Sequence, residues 1–175
     1  VHELEAELRR LSDEVSTDAL TQVANRRGMA AAFETERARV ERGGACLAIG
    51  LIDIDNFKRL NDSLGHAAGD VALKSLAARV KEWLRPVDHL ARFGGEEFVV
   101  LLPDTPVDEA QQALTRLQRK LSAALFMHDG NEVFVTFSAG VTAHRIGETI
   151  DAALERADEA LYEAKRTGKN RTCIA

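Results

Sequence analysis

Apolar residues near the start of the chain recur at alternating spacings of four and three: Leu4, Leu8, Leu11 and Val15. Charged residues fill most of the positions between them, which is the pattern of a coiled-coil seam. Two heptads are too short to dimerise alone, so residues 1–17 read as the end of a longer stalk. The same pattern also fits an amphipathic helix packed on its own domain.

Further along, Asn25 to about Arg42 reads as a helix ended by Gly43 and Gly44. Ala45–Ile52 is a nearly continuous apolar run, which predicts a strand buried on both faces. A short helix follows Asp55, and a longer one from His66 to Leu84 carries Leu73, Leu76, Val80 and Leu84 on one stripe. Strands at His89–Phe93 and Glu97–Leu102 are separated so narrowly that they form a hairpin. Thr105-Pro106 opens a helix with proline at its first position and Asp108 completing a capping-box-like pattern. Its apolar face is Val107, Ala110, Leu114, Leu117, Leu121 and Leu125. Glu132–Thr142 alternates as one half-buried strand, and a last helix at Thr149–Arg166 stops at Gly168. The expected class is α/β in the α+β sense: a central mixed sheet with surrounding helices, packed mainly on one face, in a domain spanning residues 18–175.

Composition narrows the function. A net charge of −5 and a pI near 5.6 speak against a long nucleic acid as partner. No apolar run approaches the roughly 20 residues needed to cross a bilayer, and no signal peptide is visible. Direct membrane contact is therefore not expected of this segment, and a cytoplasmic location is expected of this domain, a membrane tether elsewhere in the full-length protein being left open. Two cysteines, Cys46 and Cys173, are too few for a disulfide scaffold and read as free thiols. The start at Val1 reads as part of a longer protein.

The candidate chemistry is carried by carboxylates. Asp53 and Asp55 close the run Cys46–Ile52, and strand alternation puts both on one face. Glu96 and Glu97 stand at the hairpin tip. If the hairpin pairs beside the first strand, Asp53 and Glu96 converge, and oxygen donors around one point are what magnesium requires. Acidic residues at strand ends are equally ordinary solubilising punctuation. The tip reads Arg92-Phe93-Gly94-Gly95-Glu96-Glu97-Phe98. Two adjacent glycines permit a tight turn with positive φ and let a phosphate or ribose approach closely.

Gly94-Gly95-Glu96-Glu97-Phe98 resembles the signature of GGDEF diguanylate cyclases, which accept Asp or Glu at the third place. The likeness continues in order along the chain. Asp18-Ala19-Leu20-Thr21 with Asn25-Arg26-Arg27 is similar to the family's opening segment. Ile52 to Lys58, Asn61-Asp62, Gly65-His66 and Gly69-Asp70 are similar to its metal and guanine block. Tyr162 to Lys165 with Gly168-Lys169-Asn170 is similar to its closing motif.

The resemblance implies a palm-like nucleotidyl-cyclase fold that joins two GTP into cyclic di-GMP, releasing pyrophosphate as a homodimer. Asp53, the carbonyl of Ile54 and Glu96 would bind magnesium, with manganese as the alternative. Glu96 or Glu97 would be the candidate base, with a water as the alternative to either. Asn61 and Asp70 would read guanine; their plain structural roles are a local turn bond and a first-turn carboxylate. Lys58, Lys165 and Lys169, helped by backbone amides at Asn56 and Phe57, would neutralise the triphosphate beside Gly94 and Gly95. Solvated lysines, two of them flanking a helix C-terminus, are the ordinary counterpart. Arg85-Pro86-Val87-Asp88 would be the inhibitory site for cyclic di-GMP; otherwise it is a helix end followed by a turn. Two departures stand out: Lys169 where many relatives carry Arg, and Asn56 where they carry an aromatic. A silent module that binds GTP or cyclic di-GMP is the alternative function.

Overall fold

The computed structural model describes residues 2–175, and the side chains of all of these but 9–14. Leu11 of the predicted seam thus lies outside the described side chains. The first helix, α1 (His2–Ser16), keeps Leu4 and Leu8 exposed rather than packed on the domain.

Five strands form one sheet: β1 (Leu47–Ile54), β2 (His89–Arg92), β3 (Glu97–Pro103), β6 (Phe137–Ala143) and β7 (Thr172–Ile174). Their order is β2-β3-β1-β6-β7, antiparallel except for the β6–β7 pair. A short separate hairpin joins β4 (Phe126–His128) to β5 (Asn131–Val133). The helices are α2 (Arg26–Glu41), α3 (Phe57–Leu64), α4 (His66–Trp83), α5 (Val107–Ser122) and α6 (Ile150–Arg166).

Alternation along β1 explains the layering. Ala48, Ile52 and Ile54 point to a core shared with Leu73, Leu76 and Val80 of α4 and Leu114, Leu117 and Leu121 of α5. Leu47, Ile49 and Leu51 point the other way, onto Met29 and Phe33 of α2 and Ala157 and Leu161 of α6. Helices therefore cover both faces, which corrects the expectation of one; an apolar run as continuous as β1 requires two lids. Each fully buried Leu or Phe contributes about 1.5–3 kcal/mol relative to exposure.

Several boundaries differ from the expectation. β1 runs two residues later than predicted, so Asp53 and Ile54 belong to the strand. The single strand expected over Glu132–Thr142 is broken between β5 and β6, because Phe134 turns out to solvent and Thr136 bonds to Asp55 instead. Pro106 is the cap of α5, not its first residue, and no side-chain cap forms; the Thr105 hydroxyl donates to the Pro103 carbonyl. Leu125 lies past the end of α5 and is exposed.

Gly140 sets how closely α6 lies on the sheet. A Cβ there would collide with the α6 backbone at Ala157 and Leu161. Small residues on that helix (Ala153, Ala157, Ala160 and Ala164) are buried against the sheet, which carries Lys165 down to the end of β1.

Candidate active site

Pairing of β1 with β3 sets Asp53 opposite Glu97, and the Ile54 amide donates to the Glu96 carbonyl at 3.3 Å. The hairpin tip and the end of β1 are thus locked side by side. Phe93 N donates to the Glu97 carbonyl at 2.7 Å, closing the turn over Gly94 and Gly95. Neither glycine has a positive φ, contrary to expectation. What their lack of side chains supplies is room: nothing lies within 4 Å of a Cβ built on Gly95.

Asp53 and Glu96 meet. Burial pushes the Asp53 carboxyl above the usual aspartate range, opposed by the Lys165 ammonium and a hydrogen bond from Glu96. Burial, then the Asp53 charge and that shared bond, push Glu96 up. Glu97 is also raised, by burial and by the charges of Asp53 and Asp158. Lys165 Nζ lies 3.2 Å from Asp53 Oδ1, yet that buried oxygen has no well-directed hydrogen bond. Crowded carboxylates with a buried, unsatisfied oxygen suit a hard divalent cation. Among the described residues no three His, Cys, Asp or Glu side chains surround one point. Such an ion would thus need main-chain and substrate oxygens as well.

Asp55 does not join them. It is buried and bonded to Thr136, Ser138 and the Asn170 amide, a structural role that its spacing from Asp53 did not reveal.

The loop after β1 provides a second group. Asn56 takes a left-handed conformation (φ 57°) and makes no side-chain cap for α3, so the helix opens with free N–H groups. Lys169 Nζ reaches across to donate to Asn56 Oδ1 at 2.7 Å. Lys58 is exposed on α3, and Phe57 packs against the core. Asn61 lies on Gly69, where any Cβ would strike its side-chain amide, and its buried Oδ1 accepts no hydrogen bond. An acceptor with no donor from the chain is open to one from a ligand or a water. Asp70, next to Gly69, is exposed in α4.

Arg85 and Asp88 lie at the other end of the β2–β3 hairpin from Gly94 and Gly95. Arg85 Nη2 donates to Asp88 Oδ1 at 2.8 Å and to the Pro103 carbonyl, and the Arg85 amide donates to Asp88 Oδ2. Asp88 is enclosed by these bonds, while Arg85 remains half exposed.

Sequence reasoning missed the clasp on the hairpin tip. Arg92 donates to the Gly95 carbonyl from Nε and Nη2, and its Nη1 faces Asp18 at 3.4 Å. Arg26 donates to the Phe93 carbonyl and stacks on the Phe93 ring at 3.8 Å. Basic residues flanking a glycine turn were the available signal.

The family described as diguanylate cyclase, GGDEF domain, matches residues 15–171. The chain is 46% identical over 159 residues to diguanylate cyclase DgcP of Pseudomonas aeruginosa, covering 91% of this chain and 24% of that protein. It is 41% identical over 157 residues to response regulator PleD of Caulobacter vibrioides, covering 88% of this chain and 35% of that protein. The chain therefore spans well under half the length of these two relatives. Among solved structures, the coiled coil and GGDEF domain of DgcB from Caulobacter crescentus, in complex with c-di-GMP, superposes with a TM-score of 0.92 at 29% identity. That match covers 99% of this chain and 93% of the other. Diguanylate cyclase SiaD of Pseudomonas aeruginosa, in complex with its activator SiaC, gives 0.89 at 35% identity, over 99% and 67%. Family match, identity over most of the chain and shared architecture agree: this chain belongs to the GGDEF-domain diguanylate cyclase family.

Proposed function

We propose that this chain condenses two GTP molecules into cyclic di-GMP with release of pyrophosphate. The observation that carries the reading is the meeting of Asp53 and Glu96 at a buried, unsatisfied oxygen beside Lys165. Asp53, the Ile54 carbonyl and Glu96 would hold a divalent cation, magnesium with manganese as the alternative, which when bound neutralises phosphate charge and lowers the pKa of an attacking hydroxyl.

The remaining work falls to the chain's own residues. Free N–H groups at the start of α3, with Lys58, Lys165 and Lys169, bind the triphosphate. Asn61 and Asp70 read the guanine edge, whose N–H donors match an orphaned amide oxygen and an exposed carboxylate. The open turn at Gly94 and Gly95 leaves space for the α-phosphate. The 3′-oxygen of one GTP attacks the α-phosphorus of the other and the bond to the β-phosphate oxygen breaks. Glu97 takes the hydroxyl proton, since its raised pKa suits a base and Glu96 is committed to the cation. Repeating the step closes the ring.

Each domain holds one GTP, so two copies must face each other, and the exposed Leu4 and Leu8 of α1 form a seam for that pairing. Arg85 and Asp88 are the product-inhibition site; the complex of the DgcB domain with c-di-GMP supports a product-binding surface in this family.

The test is chromatography of products from GTP and magnesium, using protein made dimeric by a fused leucine zipper on α1. Cyclic di-GMP is expected. A dimer that binds GTP without turnover would replace this reading with the silent module, and absence of GTP binding would remove both.

A further inference from the structure

Two residues past Asp53, the Asp55 side chain is buried and both its oxygens are engaged. Its Oδ2 accepts from Thr136 Oγ1 at 2.8 Å and from the Asn170 amide at 3.0 Å, and its Oδ1 accepts from Ser138 Oγ at 2.6 Å. Its own amide donates to the Thr136 carbonyl at 2.9 Å. Buried and with three of its roughly four acceptor sites taken by the chain, this carboxylate is not displayed to a cation.

It holds the tail. Between α6 and β7 the chain passes through three consecutive residues with positive φ: Gly168 at 135°, Lys169 at 63° and Asn170 at 48°. Glycine takes such a conformation freely and asparagine tolerates it, whereas the lysine persists there only if its surroundings over-determine it. Three bonds do so: Lys169 N to the Ala164 carbonyl at 2.9 Å, Asn170 Nδ2 to Ser122 Oγ at 3.1 Å, and Asn170 N to Asp55. Of these three, only the last runs to the residue that directly follows β1. From this strained turn Lys169 reaches Asn56, the residue after Asp55.

We propose that Asp55 is a positioning residue of the GTP site that acts through Lys169. By tying the tail turn to the end of β1, it holds the Lys169 ammonium over the Asn56 loop, where the triphosphate binds. The inference rests on the assignment of that loop and Lys169 to the triphosphate, made under Proposed function.

Steady-state kinetics of the zipper-dimerised protein with GTP and magnesium test it, with thermal melting to verify folding. Asp55→Asn presents an amide to donors that need an acceptor, and Lys169→Ala removes the cation. Each should raise KM for GTP about tenfold, the scale of one charge-assisted contact, while kcat falls much less. Because Asp55 works through Lys169, the double variant should be no worse than Lys169→Ala alone. Ser138→Ala, which removes one donor without adding bulk, should show the same split at smaller amplitude and keeps the test readable if Asp55→Asn does not fold. Additive losses in the double variant, or a kcat defect with unchanged KM, would overturn the assignment. Wild-type protein that binds no GTP would instead overturn the site reading beneath it.

Discussion

Lys165 Nζ stands 3.2 Å from Asp53 Oδ1, where Asp53 meets Glu96 and stands opposite Glu97 across the β1–β3 pair. One ammonium does not balance them, since all three carboxyls are held above their usual range, mainly by burial. A carboxyl raised in the fold has its charged form penalised there. Its contribution to stability is whole below the unfolded value and declines as pH rises through the folded one. Glu96→Gln removes one of these charges and keeps a hydrogen-bond donor toward Asp53. Without divalent cation at pH 8 it should melt higher than wild type. Solvent screening holds the gain to about 1 kcal/mol or less, or about 2–4 °C. The gain should shrink as pH approaches 5, and product formation should be lost. Calorimetry at the two pH values checks this; an unchanged or lower melting temperature at pH 8 would contradict the crowding.

Gly69 predicts a separate effect on the base. A methyl group there would collide with the Asn61 amide. Gly69→Ala should displace Asn61 and weaken GTP binding about tenfold, the cost of one lost polar contact in a site built around it. Titration calorimetry with a non-hydrolysable GTP analogue measures this. Binding at wild-type affinity would remove Asn61 from the guanine site.

Much of this was legible from residue order. The period of β1, the hairpin around Gly94 and Gly95, and the amphipathic stripes of α4, α5 and α6 are local properties, and Asp53 and Glu96 converge because β1 and β3 pair in that register. The role of Asp55 was not legible, and for Arg92 the sequence offered only a basic residue beside a glycine turn. Asp55 has the same spacing and chemistry as a second cation ligand, and only long-range partners at Thr136, Ser138 and Asn170 reveal otherwise. The β4–β5 hairpin had a signal in Asp129-Gly130, both of positive φ in its two-residue turn, but strands of three residues gave that pair no alternating pattern to frame it. β7 is three residues long and takes its pairing from β6.

His144 predicts a pH dependence of stability remote from the carboxylate cluster. Its side chain is fully buried just past the end of β6, edge-on to Phe33, and neither ring nitrogen makes a well-directed hydrogen bond. Burial lowers its pKa. Glu148, 3.4 Å away, opposes the shift, while Arg156 and Arg37 add to it. A histidine lowered in the fold is protonated more readily when unfolded, so stability should fall as pH drops below about 6.5. Glu148 is itself lowered, so its own contribution is lost only in more acid solution, below the usual glutamate range. His144 should therefore add a decline toward acid to the urea midpoints between pH 7.5 and 5, against the opposite trend of the Asp53, Glu96 and Glu97 carboxyls, and His144→Phe should lose that decline while keeping the carboxyl trend. Equal slopes in both proteins would assign the decline elsewhere.

Arg92 predicts how the signature turn is held for chemistry. Its guanidinium forks onto the Gly95 carbonyl at 3.2 and 2.8 Å while its third nitrogen faces Asp18. Asp18 is fixed in turn by the Thr21 amide and hydroxyl at 2.9 and 2.7 Å. The segment between α1 and α2 thus grips the residue just before Glu96. A lysine at this position supplies charge but only a single point of contact, so it cannot span both partners. Arg92→Lys should leave the fold intact, because these bonds lie at a partly exposed turn rather than in either core. It should loosen Glu96, lowering kcat about tenfold or more with a smaller change in KM, since displacements on the order of 1 Å at a reacting centre are that costly. Asp18→Asn, which keeps the shape but removes the charge, should fall in the same direction by less. A wild-type kcat in Arg92→Lys would show that the turn keeps its geometry through the β1–β3 pairing alone.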